Sequence, residues 1–183
     1  MKEVYELKVA GLTRELPIIE VSEEVAIASF VLLGDSEMTI AAARELAKRL
    51  PDSIDYLVTA EAKGIPLLQE LARIMDFPNY IVARKSKKAY MSDPLEASVV
   101  SITTQKEQTL YLDGGDALAI KGKKVAIIDD VISTGESLQA LITLVEKAGA
   151  NVVAQAAILA EGEAANRSDL IFLEKLPLFV KES

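Results

Sequence analysis

The chain has 183 residues, of which 50% are hydrophobic and 26% charged, and it carries a formal net charge of −8 with a pI near 4.7. It contains neither cysteine nor histidine, which excludes disulfides, thiolate nucleophiles, Cys/His zinc sites, imidazole bases and Ser-His-Asp triads. Chemistry must come from carboxylates, hydroxyls, Lys, Arg and backbone amides; a metal must be a hard ion held by oxygen, with Mg²⁺ the leading candidate. The acidic balance argues against a general nucleic-acid binder, while leaving room for a local basic cluster that meets an anion.

Length and composition suit one domain spanning residues 1–183. No apolar run approaches the roughly 20 residues of a membrane helix. The opening MKEVYELKVAGL alternates polar and apolar residues instead of presenting a signal-peptide core, so a cytoplasmic protein without membrane contact is expected.

In chain order, Glu3 to Val9 alternates as a strand and pairs with Leu16 to Glu20 across a turn at Gly11, giving residues 1–34 the character of a small N-terminal hood. After GDSE, with Asp35 or Ser36 as N-cap, Ile40, Ala43, Ala47 and Leu50 share a helical face, and Pro51 stops the helix. Tyr56 to Ala60 is a short apolar strand, Ile65 to Met75 a helix opened by Pro66, and Tyr80 to Ala83 a second strand. Val125 to Asp129 is a third, followed by a helix with Leu138, Leu141, Ile142 and Val145 on one stripe, ending at Gly149. Asn151 to Leu159 is a fourth strand. Repeated strand-helix-strand units predict an α/β fold: a central, mainly parallel twisted sheet with helices on both faces.

Residues 84–121 interrupt that pattern. The segment is too long for an ordinary connection, and its polar alternation predicts a β-ribbon lid, mobile between Met91 and Gln108 because little apolar content pins its distal part.

Ligands of open α/β sheets collect outside the carboxyl ends of the strands, and three unusual stretches lie there. Asp129 and Asp130 lead into Ser133, Thr134, Gly135, Glu136 and Ser137, a hydroxyl-rich turn opening a helix whose backbone N–H groups suit a phosphate. Two adjacent acids at a buried strand end repel and lose solvation unless hydroxyls or a metal share them, which a capped turn alone does not explain. In TAEAKG, Ala62, Lys63 and Gly64 bring a cation and a close backbone to an anion, although the same residues also make an ordinary strand-to-helix turn. ARKSKK places Arg84, Lys85 and Lys88 at another strand end, as a second anion contact or as a solvated charged face. The ligand described by these parts has a monophosphate, a diol and a pyrophosphate. Phosphoribosyl pyrophosphate (PRPP) has all three.

VAIIDDVISTGES resembles the PRPP-binding motif of the type I phosphoribosyltransferases, and EAKG resembles the family's pyrophosphate loop. The likeness extends over most of the chain after Phe30. EASVVSITTQ is similar to the lid region of xanthine enzymes, while the AEAKG stretch and the length suit adenine enzymes. YELKVAGLTRELPI, TAEAKGIPL and EGEAANRSDLIFLEKLPLF together resemble a bacterial subgroup described as adenine phosphoribosyltransferases.

The resemblance implies transfer of ribosyl 5-phosphate from PRPP to a purine with release of pyrophosphate, in a homodimer. It gives Asp129 and Asp130 to the ribose hydroxyls, the developing ribosyl cation and Mg²⁺; residues 62–64, Arg84, Lys85 and Lys88 to pyrophosphate; and residues 133–137 to the 5-phosphate. It also places the segment after Leu159 beside the base, where 6-oxopurine enzymes usually present a lysine. Here Glu161 can only accept when ionised, which favours adenine.

Three positions depart from the family pattern: Glu136 replaces the second glycine of the usual TGG, Ala28-Ser29 replaces an arginine-aspartate pair, and the adenine-type lid glutamate is missing. A PRPP-sensing regulator similar to the purine repressors is the alternative to an enzyme. Such regulators carry a DNA-binding extension, and no basic helix-turn-helix is readable before Asp35.

Overall fold

The structure is a computed structural model and describes residues 3–100 and 107–180. Strand β1 (Val4–Val9) turns through Ala10 and Gly11, both at positive φ, into β2 (Leu12–Glu20), and β3 (Val25–Ala28) follows. Helix α1 (Ser36–Ala47) precedes β4 (Tyr56–Ala60), α2 (Ile65–Ile74) and β5 (Ile81–Ala83). A hairpin of β6 (Leu95–Val100) and β7 (Glu107–Leu112) leads through α3 (Gly114–Ile120) to β8 (Lys124–Ile132), α4 (Glu136–Lys147) and β9 (Asn151–Glu161). A 3₁₀ turn over Gly162–Asn166, then β10 (Ile171–Leu176) and β11 (Leu178–Val180), complete the described chain.

The five-stranded sheet runs β10-β9-β8-β4-β5, and every neighbouring pair in it is parallel. Successive residues of β8 serve opposite faces. Ala126 and Ile128 pack with Leu57, α1 and α2 on one side; Val125 and Ile127 pack with Val58 and α4 on the other. Full burial of such a Leu or Ile contributes roughly 1.5–3 kcal/mol, so the two apolar layers fix both the sheet and its register. The expected α/β architecture is present.

Several elements differ from the sequence-based expectation. Ile40 is 38% exposed, and the buried stripe of α1 is Met38, Thr39, Ala42, Ala43 and Leu46, rotated away from the predicted face. Met38, Ala42, Ala43 and Leu46 join the core cluster that also holds Leu67, Leu68, Leu71 and Ala72 of α2. Strand β8 continues past Asp129 to Ile132 because β9 keeps pairing with it, Val131 opposite Leu159 and Ile132 opposite Ala160. The hood is not wholly N-terminal: β11, from the other end of the chain, pairs with β3 to complete the antiparallel order β1-β2-β3-β11.

The predicted ribbon is the β6-β7 hairpin, with Leu95 opposite Leu112 and Val100 opposite Glu107. Its base is pinned by apolar contacts the sequence reading undervalued. Ala97, Leu110 and Leu112 are buried in the α4-side core, and Lys147 donates from Nζ to the Glu96 carbonyl at 2.8 Å. Residues 101–106, within the span expected to be mobile, lie outside the described residues.

Arg14 of β2 ties the hood to α1. It donates from Nε and a terminal nitrogen to Asp35 at 2.7 and 3.0 Å and to Glu37 at 2.7 Å, while Asp35 also accepts the Met38 amide as N-cap at 3.0 Å. These contacts hold the Asp35 carboxyl below the usual range, led by the Arg14 hydrogen bond. We expect Asp35→Ala to destabilise the fold by about 1–3 kcal/mol through loss of cap and ion pair. Asp35→Asn, which keeps a capping oxygen, should lose less; urea unfolding of both variants measures the difference.

Candidate functional site

The site arises from a mismatch between neighbouring strands. Pairing of β4 with β8 reaches only Val58 opposite Ile127, whereas β8 and β9 continue together to Ile132. Past that point β4 turns off into the loop at Glu61 to Gly64, and β8 is left with one open side. Asp129 and Asp130 stand in that opening. Around them is a cavity of about 240 Å³ lined by the β4-α2 loop, Lys85 after β5, the β8-α4 turn, and Gln108 and Leu110 of the ribbon.

Asp130 is 4% exposed, and its Oδ2 is fully buried with no hydrogen-bond partner. Asp129 lines the cavity and accepts the Asp130 amide through Oδ1 at 2.8 Å. Burial, followed by the adjacent Asp130 charge, pushes Asp129 up from 3.8 to about 7, with Lys63 opposing the rise. A buried carboxylate oxygen with no partner costs free energy that a bound donor or cation recovers. Among the described residues no group of three or more carboxylates forms a metal cage. The pair fits Mg²⁺ in the way that ion is ordinarily held beside phosphates, by one or two carboxylates with the ligand and water supplying the remaining oxygens.

The β8-α4 turn provides the opposite polarity. Gly135, at φ 81°, is the N-cap of α4 and offers no side chain to the amides of the first helical turn. Those amides and the positive end of the helix dipole can therefore receive an anion. Ser133, Thr134, Gly135 and Ser137 line the cavity, and Ser137 Oγ donates to Gln108 Oε1 at 3.0 Å.

The cations divide into two sets. Lys63 and Lys85, together with Ala62, line the cavity. Arg84 and Lys88 do not; they gather around Glu61, a residue the sequence reading missed. Glu61 accepts from Arg84 Nε at 2.8 Å and from the Lys85 amide at 2.6 Å, with Lys88 Nζ at 4.0 Å. Burial works against the Glu61 charge, but the Lys85 amide and Arg84 outweigh it and hold the carboxyl below the usual range. The Glu61–Ala62 peptide is cis. The signal that could have found Glu61 is an acid in one strand-end loop facing a basic run in the next.

Gly64 lies behind the loop rather than in the cavity wall. A Cβ there would overlap Thr59 Oγ1, a fully buried hydroxyl, and stand 3.4 Å from Asp129 Oδ1. Glu136 is the first residue of α4 and does not line the cavity. Glu161 ends β9 outside the cavity wall; it is 8% exposed, with no hydrogen bond to its carboxylate among the described residues.

Comparison with known proteins follows the same lines. A profile described as the phosphoribosyl transferase domain matches residues 33–180. A hypoxanthine/guanine phosphoribosyltransferase of Methanococcus voltae is 37% identical over 137 residues, covering 75% of this chain and 69% of that protein. One bearing the same description from Methanocaldococcus sp. (strain FS406-22) is 39% identical over 125 residues, 66% of this chain and 60% of that protein. Among solved structures, adenine phosphoribosyltransferase from Thermoanaerobacter pseudethanolicus superposes with a TM-score of 0.70 at 22% identity, covering 87% of this chain and 95% of the other. The Trypanosoma brucei adenine enzyme, in complex with AMP, pyrophosphate and ribose-5-phosphate, gives 0.63 at 21% identity, covering 76% and 64%. At such identities the structural likeness speaks for the fold, whereas the profile and the Methanococcus relative speak for descent: this chain belongs to the phosphoribosyl transferase domain family.

Proposed function

We propose that this chain is a purine phosphoribosyltransferase that moves the 5-phosphoribosyl group of PRPP onto adenine and releases pyrophosphate. One observation carries the reading. A single cavity holds paired carboxylates on β8, the uncapped start of α4, and the cations Lys63 and Lys85. Those are complements for a diol, a phosphate monoester and a pyrophosphate.

In this reading Ser133, Thr134, Gly135 and Ser137 take the 5-phosphate, with Glu136 directed along the helix. Asp130 Oδ2 and the Asp129 carboxylate receive the ribose hydroxyls, which supplies the partner the buried oxygen lacks. Lys63 and Lys85 meet the pyrophosphate. Arg84 and Lys88 act from behind, their charge partly spent on Glu61. Bound Mg²⁺, held by Asp129 or Asp130 with ligand oxygens, would supply charge to the leaving pyrophosphate. The bond from the ribosyl anomeric carbon to the pyrophosphate oxygen breaks with its electron pair on oxygen, a purine ring nitrogen bonds to that carbon, and the nitrogen releases its proton. Positive charge on the ribosyl ring in between is stabilised by the two carboxylates, which act mainly in the transition state. The β6-β7 ribbon, joined to the α4 start through Gln108 and Ser137, lies where it can exclude water.

Glu161 supports an amino-purine. A buried carboxylate without a hydrogen bond accepts from the exocyclic amine of adenine and faces a 6-oxo oxygen with lone pair against lone pair. A second reading, the 6-oxopurines hypoxanthine and guanine, is favoured by the descriptions of the relatives at 37% and 39% identity, and the ring N–H of either base, with the amine of guanine, would also satisfy Glu161.

Rates of pyrophosphate release with PRPP, Mg²⁺ and each base decide between these readings. Adenine is expected to lead hypoxanthine, guanine and xanthine by about tenfold or more; guanine or hypoxanthine in the lead would overturn adenine and establish the second reading, and xanthine in the lead would overturn both. Release with no base would indicate turnover without transfer, and PRPP binding without release would establish a sensor. Glu161→Gln should narrow the ratio between bases, whereas an unchanged ratio removes Glu161 as reader. Asp129→Asn/Asp130→Asn should fold and lose at least about a hundredfold in kcat.

The Asp129 value also makes stability depend on pH in the ligand-free protein. Between 3.8 and about 7 the folded protein keeps a proton that the unfolded chain has released. Stability from this group therefore falls as pH rises across that window, by a few kcal/mol at most. Asp129→Asn should flatten the fall, read as the difference between wild-type and variant urea midpoints across the window.

A further inference from the structure

We infer that Arg167 is a positioning residue for the phosphate turn, bracing Gly135 from outside the cavity and keeping positive charge behind it. The inference rests on the proposed reading in which residues 133–137 receive the 5-phosphate.

Arg167 follows the 3₁₀ turn after β9, and its side chain reaches back across β9 toward the start of α4. Nε donates to Asp169 Oδ1 at 2.9 Å, and one terminal nitrogen donates to Asp169 Oδ2 at 2.8 Å and to Gln155 Oε1 of β9 at 2.9 Å. Three hydrogen bonds thus fix the plane of the guanidinium. Asp169 occupies the Nε–Nη2 edge, and Gln155 takes the remaining Nη2 hydrogen. The other terminal nitrogen, Nη1, makes no hydrogen bond among the described residues and stands 3.1 Å from the point a Cβ on Gly135 would occupy.

Two consequences follow. First, the Gly135 turn is confined twice: its φ of 81° disfavours any side chain, and the space a side chain would take is held by a fixed guanidinium. Second, Asp169 neutralises Arg167 on the edge away from the turn, so the positive end of the ion pair points at Gly135. That polarity adds to the α4 dipole and offsets the charge Glu136 brings to the first helical turn. Arg167 does not line the cavity, so it acts through the turn rather than on the ligand. Lysine cannot reproduce this geometry, because it lacks the planar fork that bonds Asp169 and Gln155 while leaving one nitrogen toward Gly135.

The test is titration of the full chain with ribose 5-phosphate and, separately, with pyrophosphate, at low and high salt, alongside steady-state kinetics. Arg167→Gln is expected to weaken ribose 5-phosphate binding and raise KM for PRPP by about tenfold, leaving kcat and pyrophosphate binding within about twofold. The loss should shrink at high salt, and Arg167→Lys should recover part of it. Thr134→Val serves as the control on the turn itself. Weakened ribose 5-phosphate binding in Thr134→Val with none in Arg167→Gln would remove Arg167 and leave the phosphate reading intact. Equal weakening of both ligands by Arg167→Gln would also overturn the inference, as general damage. Failure of wild type to bind ribose 5-phosphate would overturn the phosphate reading and this inference together. Should Arg167→Gln not fold, Arg167→Lys carries the same comparison, with a ribose 5-phosphate loss of about threefold expected and none overturning it.

Discussion

The structure turns on two carboxylates placed next to each other in a strand that is buried on both faces. Strand β8 can carry them only because β4 stops pairing at Ile127 while β9 continues to Ile132. Had β4 run on beside β8, its backbone would have filled the flank through which a ligand reaches Asp129 and Asp130. The short β4 opens one flank, and the cavity forms there. The same divergence sends α2 to one face of the sheet and α4 to the other, so the loops that leave β4 and β8 face each other across the acids. The cost of burying the pair is visible in Asp129, pushed up by burial and by its neighbour, and in Asp130 Oδ2, which has no partner. Fold and site therefore share one origin.

Charge around the acids is graded. An acidic protein that gathers cations at one end of its sheet must keep them from collapsing onto the nearest carboxylates. Glu61 takes Arg84 and the Lys85 amide, which leaves the Lys63 and Lys85 side chains in the cavity wall. Arg84 bonds Tyr90 at 2.7 Å and joins the ribbon through paired backbone hydrogen bonds with Tyr111. One half-buried acid thereby fixes the loop after β4 to the loop after β5 and, through Arg84, to the base of the hairpin. Loss of Glu61 would free a cation but loosen three segments, so it serves geometry more than charge balance.

The parallel core was legible in the sequence because its determinants are local. Apolar runs, Asp35 as a cap, Pro66 at a helix start and Gly149 past a helix end each act over a few residues, and the elements they mark form where expected, although α1 stops at Ala47, short of Pro51, and β8 runs three residues past Asp129. The paired acids were legible for the same reason, since two charges inside an apolar run contradict their surroundings. What stayed hidden depends on distant partners. Strands β3 and β11 are only 4 and 3 residues long; β3 pairs with β2 on one side, and β11 is held in the sheet by β3 from across most of the chain. Ile40 fits a helical stripe by spacing, but the face that is buried is the one carrying Met38, Ala42 and Leu46, which joins the cluster shared with α2. Glu61 acquires its place from Arg84, 23 positions away, and the local Arg167–Asp169 pair is anchored to β9 only through Gln155, 12 positions back.

The segment after β9 shows the same non-local assembly. Glu161 is followed by Gly162, at φ 57°, where a Cβ would meet Leu178 Cδ1 at 2.5 Å and Cγ at 3.2 Å. Leu178 opens β11, and β11 is held by β3 of the hood. The turn that presents Glu161 is thus pressed against a strand supplied by the end of the described chain, and that strand is secured by one near its beginning. A hood of the first residues alone would leave the Gly162 turn without its apolar support. On the proposed reading of Glu161, its placement therefore depends on closure of the four-stranded sheet as much as on the carboxylate itself, and substitutions in β3 or β11 that loosen their pairing would disturb the Gly162 turn as well as stability.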